Sequence, residues 1–542
     1  AAGDVGAMIL GVALYQHFGV NGILFPLVVR AFGLLASIVG TATVDMKDED
    51  TDPMDALDRG FLVSSLLTAL GLLVATRLLL STGNSWWLFG AGLVGMATAH
   101  ASMRIARFST ADRYRPVKEL ADACRSGPAT CIVSGLTVAL QSTVAPVLAV
   151  SVALIAAFKM GQLAVGPHGG QYGAAVATMG MLATAAYVLA LDAFGSISAA
   201  AAGIAAMSGQ SEEIRRRTDR LDAAGRATRA LARGYAVAGA ALAVFLLVPA
   251  YLHKVQDLLR SRGVQDWRFT TVDLAKVEVL VAALLGAVLV YLFSALAVRA
   301  VNKTAGAVVD EVRRQLREDE GISKGTSKPD VATCVDVAVR GALLNMAGPA
   351  LLAVALPVLV GWALGREASA AFLMAGAISG LVLATFLNTG GGAWDSARRY
   401  IETGLHDGKG SDAHGAAVVG DMVGRPCTDT AGPSVHVLIK LLATVTLVLG
   451  RARSREVHPQ HGGGRLRDRG VPVHHRRRRG DHAADQGALR HPQAARRDAW
   501  HHGADQGRPG GQRVAADGPG RRDGLSRGHP VRRDADGGRL QG

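Results

Sequence analysis

Between Gly420 and Ser434 the chain reads GDMVGRPCTDTAGPS. Asp421, Arg425 and Asp429 recur every fourth residue, a spacing that puts all three on one face of an α-helix. Upstream, GGGAWDSARRYIE (390–402) sets Asp395 one helical turn before Arg398 and Arg399. Asp192 ends an apolar stretch in LALDAFGSIS. Ionisable groups in or beside such stretches are costly in lipid and usually line a polar path. Grouped carboxylates hold hard divalent cations such as Mg2+. Guanidinium and ammonium groups beside them hold phosphate oxygens. Interhelical ion pairing accounts for the same spacings equally well, and spacing alone leaves both open.

Other motifs carry less. GLHDGKGS (404–411) is one residue short of a phosphate loop and no strand precedes it. Lys409 and Asp412 could still meet an anionic ligand on that loop. His406 and His414 read as surface histidines. The four cysteines, Cys124, Cys131, Cys334 and Cys427, have neither metal nor redox spacing.

The elements that must position these groups are membrane helices. The chain has 542 residues, a formal charge of +14, a pI near 10.0 and a mean hydropathy of +0.25. Apolar runs near the roughly 20 residues needed to cross a bilayer recur along it. About eleven spans are expected, near 5–18, 22–44, 61–81, 86–106, 131–158, 172–195, 234–252, 277–300, 338–364, 371–388 and 434–450. Ala, Gly, Val and Leu dominate, and small residues let helices approach closely in lipid. The fold class is an all-α polytopic membrane protein. The acidic loop 45–58 is expected outside, and the basic segments 104–125, 211–233, 299–328 and 396–440 inside. The connector 253–276 is basic yet falls outside by alternation. DEVRRQLREDEG (310–321) should extend a membrane helix into the cytoplasm.

The chain opens inside an apolar stretch, which reads as a missing N-terminus and not as a signal peptide. Composition breaks after Gly450, so residues 1–450 form a helical domain and 451–542 an Arg/Gly/His-rich tail. HHRRRRGDHAADQ (474–486) suits a nucleic-acid tail or a disordered one. Out-of-frame translation of GC-rich DNA is preferred, with no function assigned and no nucleic-acid partner expected.

Four blocks resemble the membrane-bound, ion-translocating inorganic pyrophosphatases. YRPVKELADACRSGPAT (114–130) is similar to a cytoplasmic loop of that family. LDAFGSIS and RRRTDRLDAAG (215–225) resemble its DAYGPISDNAGG and RTDALDAAGNTT motifs. VVDEVRRQL with GTSKPDVATCVDV (325–337) resembles the loop after a pump helix. GGAWDSARRYIE and GKGSDAHGAAVVGDMVGRPCTDTAGPS resemble its last catalytic helices.

The resemblance implies a sixteen-helix, two-ring concentric bundle forming a homodimer in the cell (inner) membrane. The eleven spans would match its sixth to sixteenth helices. Mg2+-dependent hydrolysis of diphosphate at a cytoplasmic site would drive H+ export, Na+ being less favoured. Position by position, Asp192, Asp395, Asp421 and Asp429 match its catalytic aspartates. Asp395, Asp421 and Asp429 would be its metal ligands here. Arg398 and Arg399 stand for two lysines and, with Lys409 and Arg425, would bind substrate. Arg229 stands where potassium-independent members carry lysine, a fixed cation in place of K+.

The departures fall on charged and polar positions. Ala199 and Ala200 replace an Asp-Asn pair, and Ala206 replaces a Glu. Arg226 and His436 replace asparagines, while Gly415 and Thr428 replace lysines. Arg425 replaces an aspartate. The resemblance therefore leaves two alternatives beside the pump: a catalytically dead paralogue acting as scaffold or regulator, and a repurposed transporter.

Overall fold

The computed structural model describes residues 2–46, 52–80, 84–261 and 271–453. All regular structure among them is helical. The first helices are α1 (Ala2–Ala13), α2 (Tyr15–Phe18), α3 (Asn21–Ala42), α4 (Pro53–Leu79) and α5 (Ser85–Thr110). There follow α6 (Arg115–Ala123), α7 (Pro128–Gln141), α8 (Val144–Val165), α9 (Gly170–Ala183) and α10 (Ala185–Met207). The long α11 (Glu212–Arg260) precedes α12 (Val277–Glu318), α13 (Glu320–Ser323) and α14 (Val331–Ala363). The chain continues through α15 (Arg366–Glu402), α16 (Asp412–Arg425) and α17 (Gly432–Arg453). A π-helical stretch, Pro426–Ala431, joins the last two. The tail expected over 451–542 lies outside the described residues beyond Arg453, and the connector 253–276 lies outside them over 262–270.

All eleven expected apolar stretches coincide with helices. Among the described residues, eight helical segments are long and apolar enough to cross a membrane. They are α3, α4, α7–α8, α9–α10, α11, α12, α14 and α15. The stretches 5–18, 86–106 and 434–450 are helical too, in α1–α2, α5 and α17, but are not among the eight.

Burial sorts these helices into inner and outer ones. In α9–α10 and α11, 78% and 72% of the most apolar window is buried, against 22% in α14 and 28% in α7–α8. The outer faces carry bare large apolar side chains, such as Leu343, Leu344 and Leu351 on α14 and Val152 on α8. In water such a surface would drive association; against acyl chains it is at home. The central α11 supplies Leu246 to one apolar cluster, Val244 and Leu247 to a second and Leu242 to a third.

Local chemistry sets the helix ends near the polar groups. Asp52 caps α4, its carboxylate accepting from Met54 N at 2.9 Å, with Pro53 in the first turn. Ser411 caps α16 by accepting from His414 N at 3.1 Å. Gly404, at φ 113°, takes the left-handed turn that stops α15. The helix expected over 310–321 runs on in α12 to Glu318, and 42 residues of helix exceed any hydrocarbon thickness.

Two glycines let the polar elements close. A Cβ on Gly391 of α15 would fall 2.5 Å from Thr428 Cβ. One on Gly420 of α16 would fall 2.7 Å from Trp394 Cδ1. Trp394 is itself buried, and its indole N–H donates to the Cys131 carbonyl at 3.2 Å. The sequence spacing did not pair any cysteines, yet the buried Cys124 and Cys131 thiols lie 2.7 Å apart, brought together by the turn between α6 and α7.

Candidate functional site

The polar residues of α15 and α16 meet in a dense ion-pair network. Asp395 receives Arg399 Nε at 3.1 Å and Arg398 Nη2 at 3.2 Å, one turn along its own helix. Arg425 Nη2 reaches the same carboxylate at 3.5 Å from α16. Asp421 is 4% exposed and accepts from Arg425 Nε at 2.9 Å. Arg398 Nε also lies 2.9 Å from that oxygen, without hydrogen-bond alignment. Arg398 Nη1 donates to Glu402 at 2.6 Å, and His414 Nε2 meets the same carboxylate at 3.1 Å. Burial pulls the Arg425 guanidinium down, but the Asp421 hydrogen bond and the charges of Asp421, Asp395 and Asp429 outweigh it, so its pKa stands above the ordinary value.

The expected shared face of Asp421, Arg425 and Asp429 is only half realised. Asp421 and Arg425 pair at i, i+4 as the α-helical period requires. Asp429 pairs instead with Arg233 of α11, at 3.0 Å. The π-helical stretch begins immediately after Arg425, and its wider i→i+5 turn shifts the helical phase of Asp429 and its neighbours. Thr428, in the same stretch, accepts from Arg233 Nη1 at 2.8 Å and donates to the Asn388 carbonyl at 2.9 Å.

Across from this network runs α11. Asp222, Arg226, Arg229 and Arg233 succeed one another at steps of four, three and four, a single helical face. Arg226 pairs with Asp222, which Arg399 approaches to 3.9 Å. The Arg229 stem packs on Gly195 of α10. No ion pair engages Arg229 among the described residues.

Between these walls lies a cavity of about 640 Å³. Eight arginines line it (107, 113, 220, 226, 229, 233, 399 and 425) against four aspartates (52, 112, 395 and 429). Along α15 it runs from Arg399 down to Asn388 and Thr385, about 21 Å at 1.5 Å per residue. At depth, both polar side-chain atoms of the buried Asn388 lack hydrogen-bond partners among the described residues.

The expected site residues divide accordingly. Asp395, Arg399, Arg425, Asp429 and Arg229 line the cavity. Asp421 and Arg398 stand behind it, locked to one another and to Asp395. Asp192 and Lys409 do not line it: Asp192 is half-buried on α10, and Lys409 is exposed on the loop before α16. Sequence reading passed over Arg233 and Asn388. The four-three-four ladder on α11 was the available signal for Arg233; Asn388 had none.

The expected metal triad does not fit this arrangement. Among the described residues no three His, Cys, Asp or Glu side chains are grouped to hold a metal ion. Asp395 and Asp421 Oδ2 face guanidinium groups, which take oxygen positions a hard cation would need, while the buried Asp421 Oδ1 has no hydrogen-bond partner among the described residues.

Fold and site together define a polytopic helical membrane protein enclosing a cationic cavity among its inner helices. The family model for inorganic H+ pyrophosphatase matches residues 1–449, and the chain belongs to that family. It is 51% identical over 458 residues to the K+-insensitive pyrophosphate-energized proton pump of Caldanaerobacter subterraneus subsp. tengcongensis, covering 83% of this chain and 64% of that protein. It is likewise 51% identical to pump 2 of that description from Moorella thermoacetica, over 83% and 65% of the two chains. Against pyrophosphate-energized membrane proton pump 3 of Arabidopsis thaliana it is 45% identical, over 83% and 59%. The chain thus spans less than two thirds of the length of these relatives.

Proposed function

We propose that this chain is part of a pyrophosphate-energised proton pump, hydrolysing diphosphate to phosphate and coupling that to H+ movement across the membrane. The observation that carries the reading is the arginine-lined cavity within a chain that belongs to the inorganic H+ pyrophosphatase family. Arg399, Arg425, Arg226 and Arg233 would grip phosphate oxygens and hold the charge that builds on the leaving phosphate. Arg229 would serve as the fixed cation of a K+-independent pump. The polar floor at Asn388 would begin the proton's route. The cavity's charged end would face the cytoplasm of a cell (inner) membrane, and the functional unit would be a homodimer in lipid.

For the metal we propose Mg2+, which neutralises phosphate charge when bound. The described residues of this chain do not by themselves build a seat for it.

One observation favours a second reading, a non-catalytic paralogue. Arg425 occupies the carboxylates of Asp395 and Asp421, so the positions matched to catalytic aspartates are held in ion pairs. The test is phosphate release from diphosphate by the purified chain in lipid vesicles, with Mg2+, beside lumenal acidification. Release with acidification is the result expected of a pump. Absence of both overturns the reading that this chain pumps by itself and favours the paralogue.

A further inference from the structure

We infer that the cavity binds a free phosphate-type oxyanion directly on arginine side chains, with no bridging divalent cation. This concerns only what the described residues of this chain bind, which build no seat for the Mg2+ proposed for the pump, and it does not depend on turnover. Three features converge on it. First, the lining carries twice as many arginines as aspartates. Second, the two expected metal ligands that line the cavity are already matched: Asp395 by Arg399 and Arg425, and Asp429 by Arg233. That leaves Arg229 facing the cavity without an ion-pair partner among the described residues. Third, the buried Asn388 amide at the cavity floor has both polar atoms unpartnered among those residues. An uncompensated guanidinium in a partly desolvated cavity is costly unless an anion joins it. Planar guanidinium forks match tetrahedral oxyanions two oxygens at a time. A divalent cation brought along with the anion would meet the surplus positive charge as a like charge.

The test is isothermal titration of the purified chain with inorganic diphosphate and with orthophosphate, first in excess EDTA and then with Mg2+. Uptake in EDTA, not strengthened by Mg2+ and weakened by salt, is expected. Arg229→Gln should weaken uptake about tenfold, the worth of one charge-assisted contact. Arg340→Gln, on exposed α14 and paired with Asp336 away from the cavity lining, should leave it unchanged. A short-chain phosphatidic acid forms a third arm, because a lipid headgroup presents the same chemistry. Uptake of that lipid with none of the soluble ions would overturn the free-anion assignment. So would uptake that requires Mg2+, or no uptake at all. Equal affinity in Arg229→Gln and the parent chain would remove the site from this cavity. Because binding is read without turnover, failure of hydrolysis and failure of this inference are separate results.

Discussion

The α15–α16 wall of the cavity and the α11 wall use the same side chains at the same helical spacing, with opposite outcomes. On α15–α16, Asp395, Arg398, Arg399, Asp421 and Arg425 close on one another until nearly every charge has a partner within 3.5 Å. On α11, Asp222 takes Arg226, and Arg233 takes Asp429, while Arg229 is left over. The first wall is a clamp that joins two helices. The second is an open row of cations looking at it. A carboxylate or an arginine therefore reads as structural or functional by what stands opposite, and not by its place in a motif.

The largest effect is expected from breaking the clamp. Arg398→Met removes one cation from each of Asp395, Asp421 and Glu402 at once and leaves the buried Asp421 held by Arg425 alone. Losing a shared partner at three carboxylates, one of them buried, should cost about 3 kcal/mol in sum. Thermal unfolding of the detergent-solubilised chain should show a clearly lower midpoint; an unchanged midpoint would mean the clamp adds nothing. Next comes the approach that lets the clamp close. Gly391→Val sets a side chain against Thr428 and should cost about 2 kcal/mol by overpacking. The same melt reads it, and anion uptake should fall with it because α15 and the π-helical stretch part.

Arg425→Asp sharpens the contrast chemically. It removes a cation from Asp421 and Asp395 and adds a third carboxylate beside them. Mg2+ binding should appear where the parent chain has little, and metal-free diphosphate uptake should weaken about tenfold. If Mg2+ affinity does not rise, the geometry of this wall cannot be turned into a cation site by charge alone. The smallest effect is expected at Asp429→Asn, whose side chain is 52% exposed. A pair so open to solvent contributes under about 1 kcal/mol. The melt should barely move, while Arg233 becomes freer to bind an anion and uptake strengthens slightly.

Much of this was legible beforehand. Apolar runs near bilayer length foretold α11 and α15 of the site, because hydropathy acts residue by residue along the chain, while α16 lies between two such runs. The i, i+4 pairing of Asp421 with Arg425, and of Asp395 with Arg399, comes from helical period alone. Asp429 was misplaced because the same period was extended through Pro426, where the helix widens. Asp192 and Lys409 were assigned by motif position, and neither lines the cavity. Arg233 and Asn388 went unnoticed because their role depends on what α15 and the π-helical stretch bring opposite them.

The sequence by itself determined the helices, their apolar faces and the local ion pairs, since each depends on residues within one or two turns. Only the tertiary structure decided which charges cancel. Pairs such as Arg233–Asp429 and Arg398–Asp421 join residues of different elements, set by how α15 packs on α16 and the π-helical stretch across Gly391 and Gly420 and by how α11 packs beside them. A Coulomb interaction depends on separation in space, and separation in space between helices is not written in spacing along the chain.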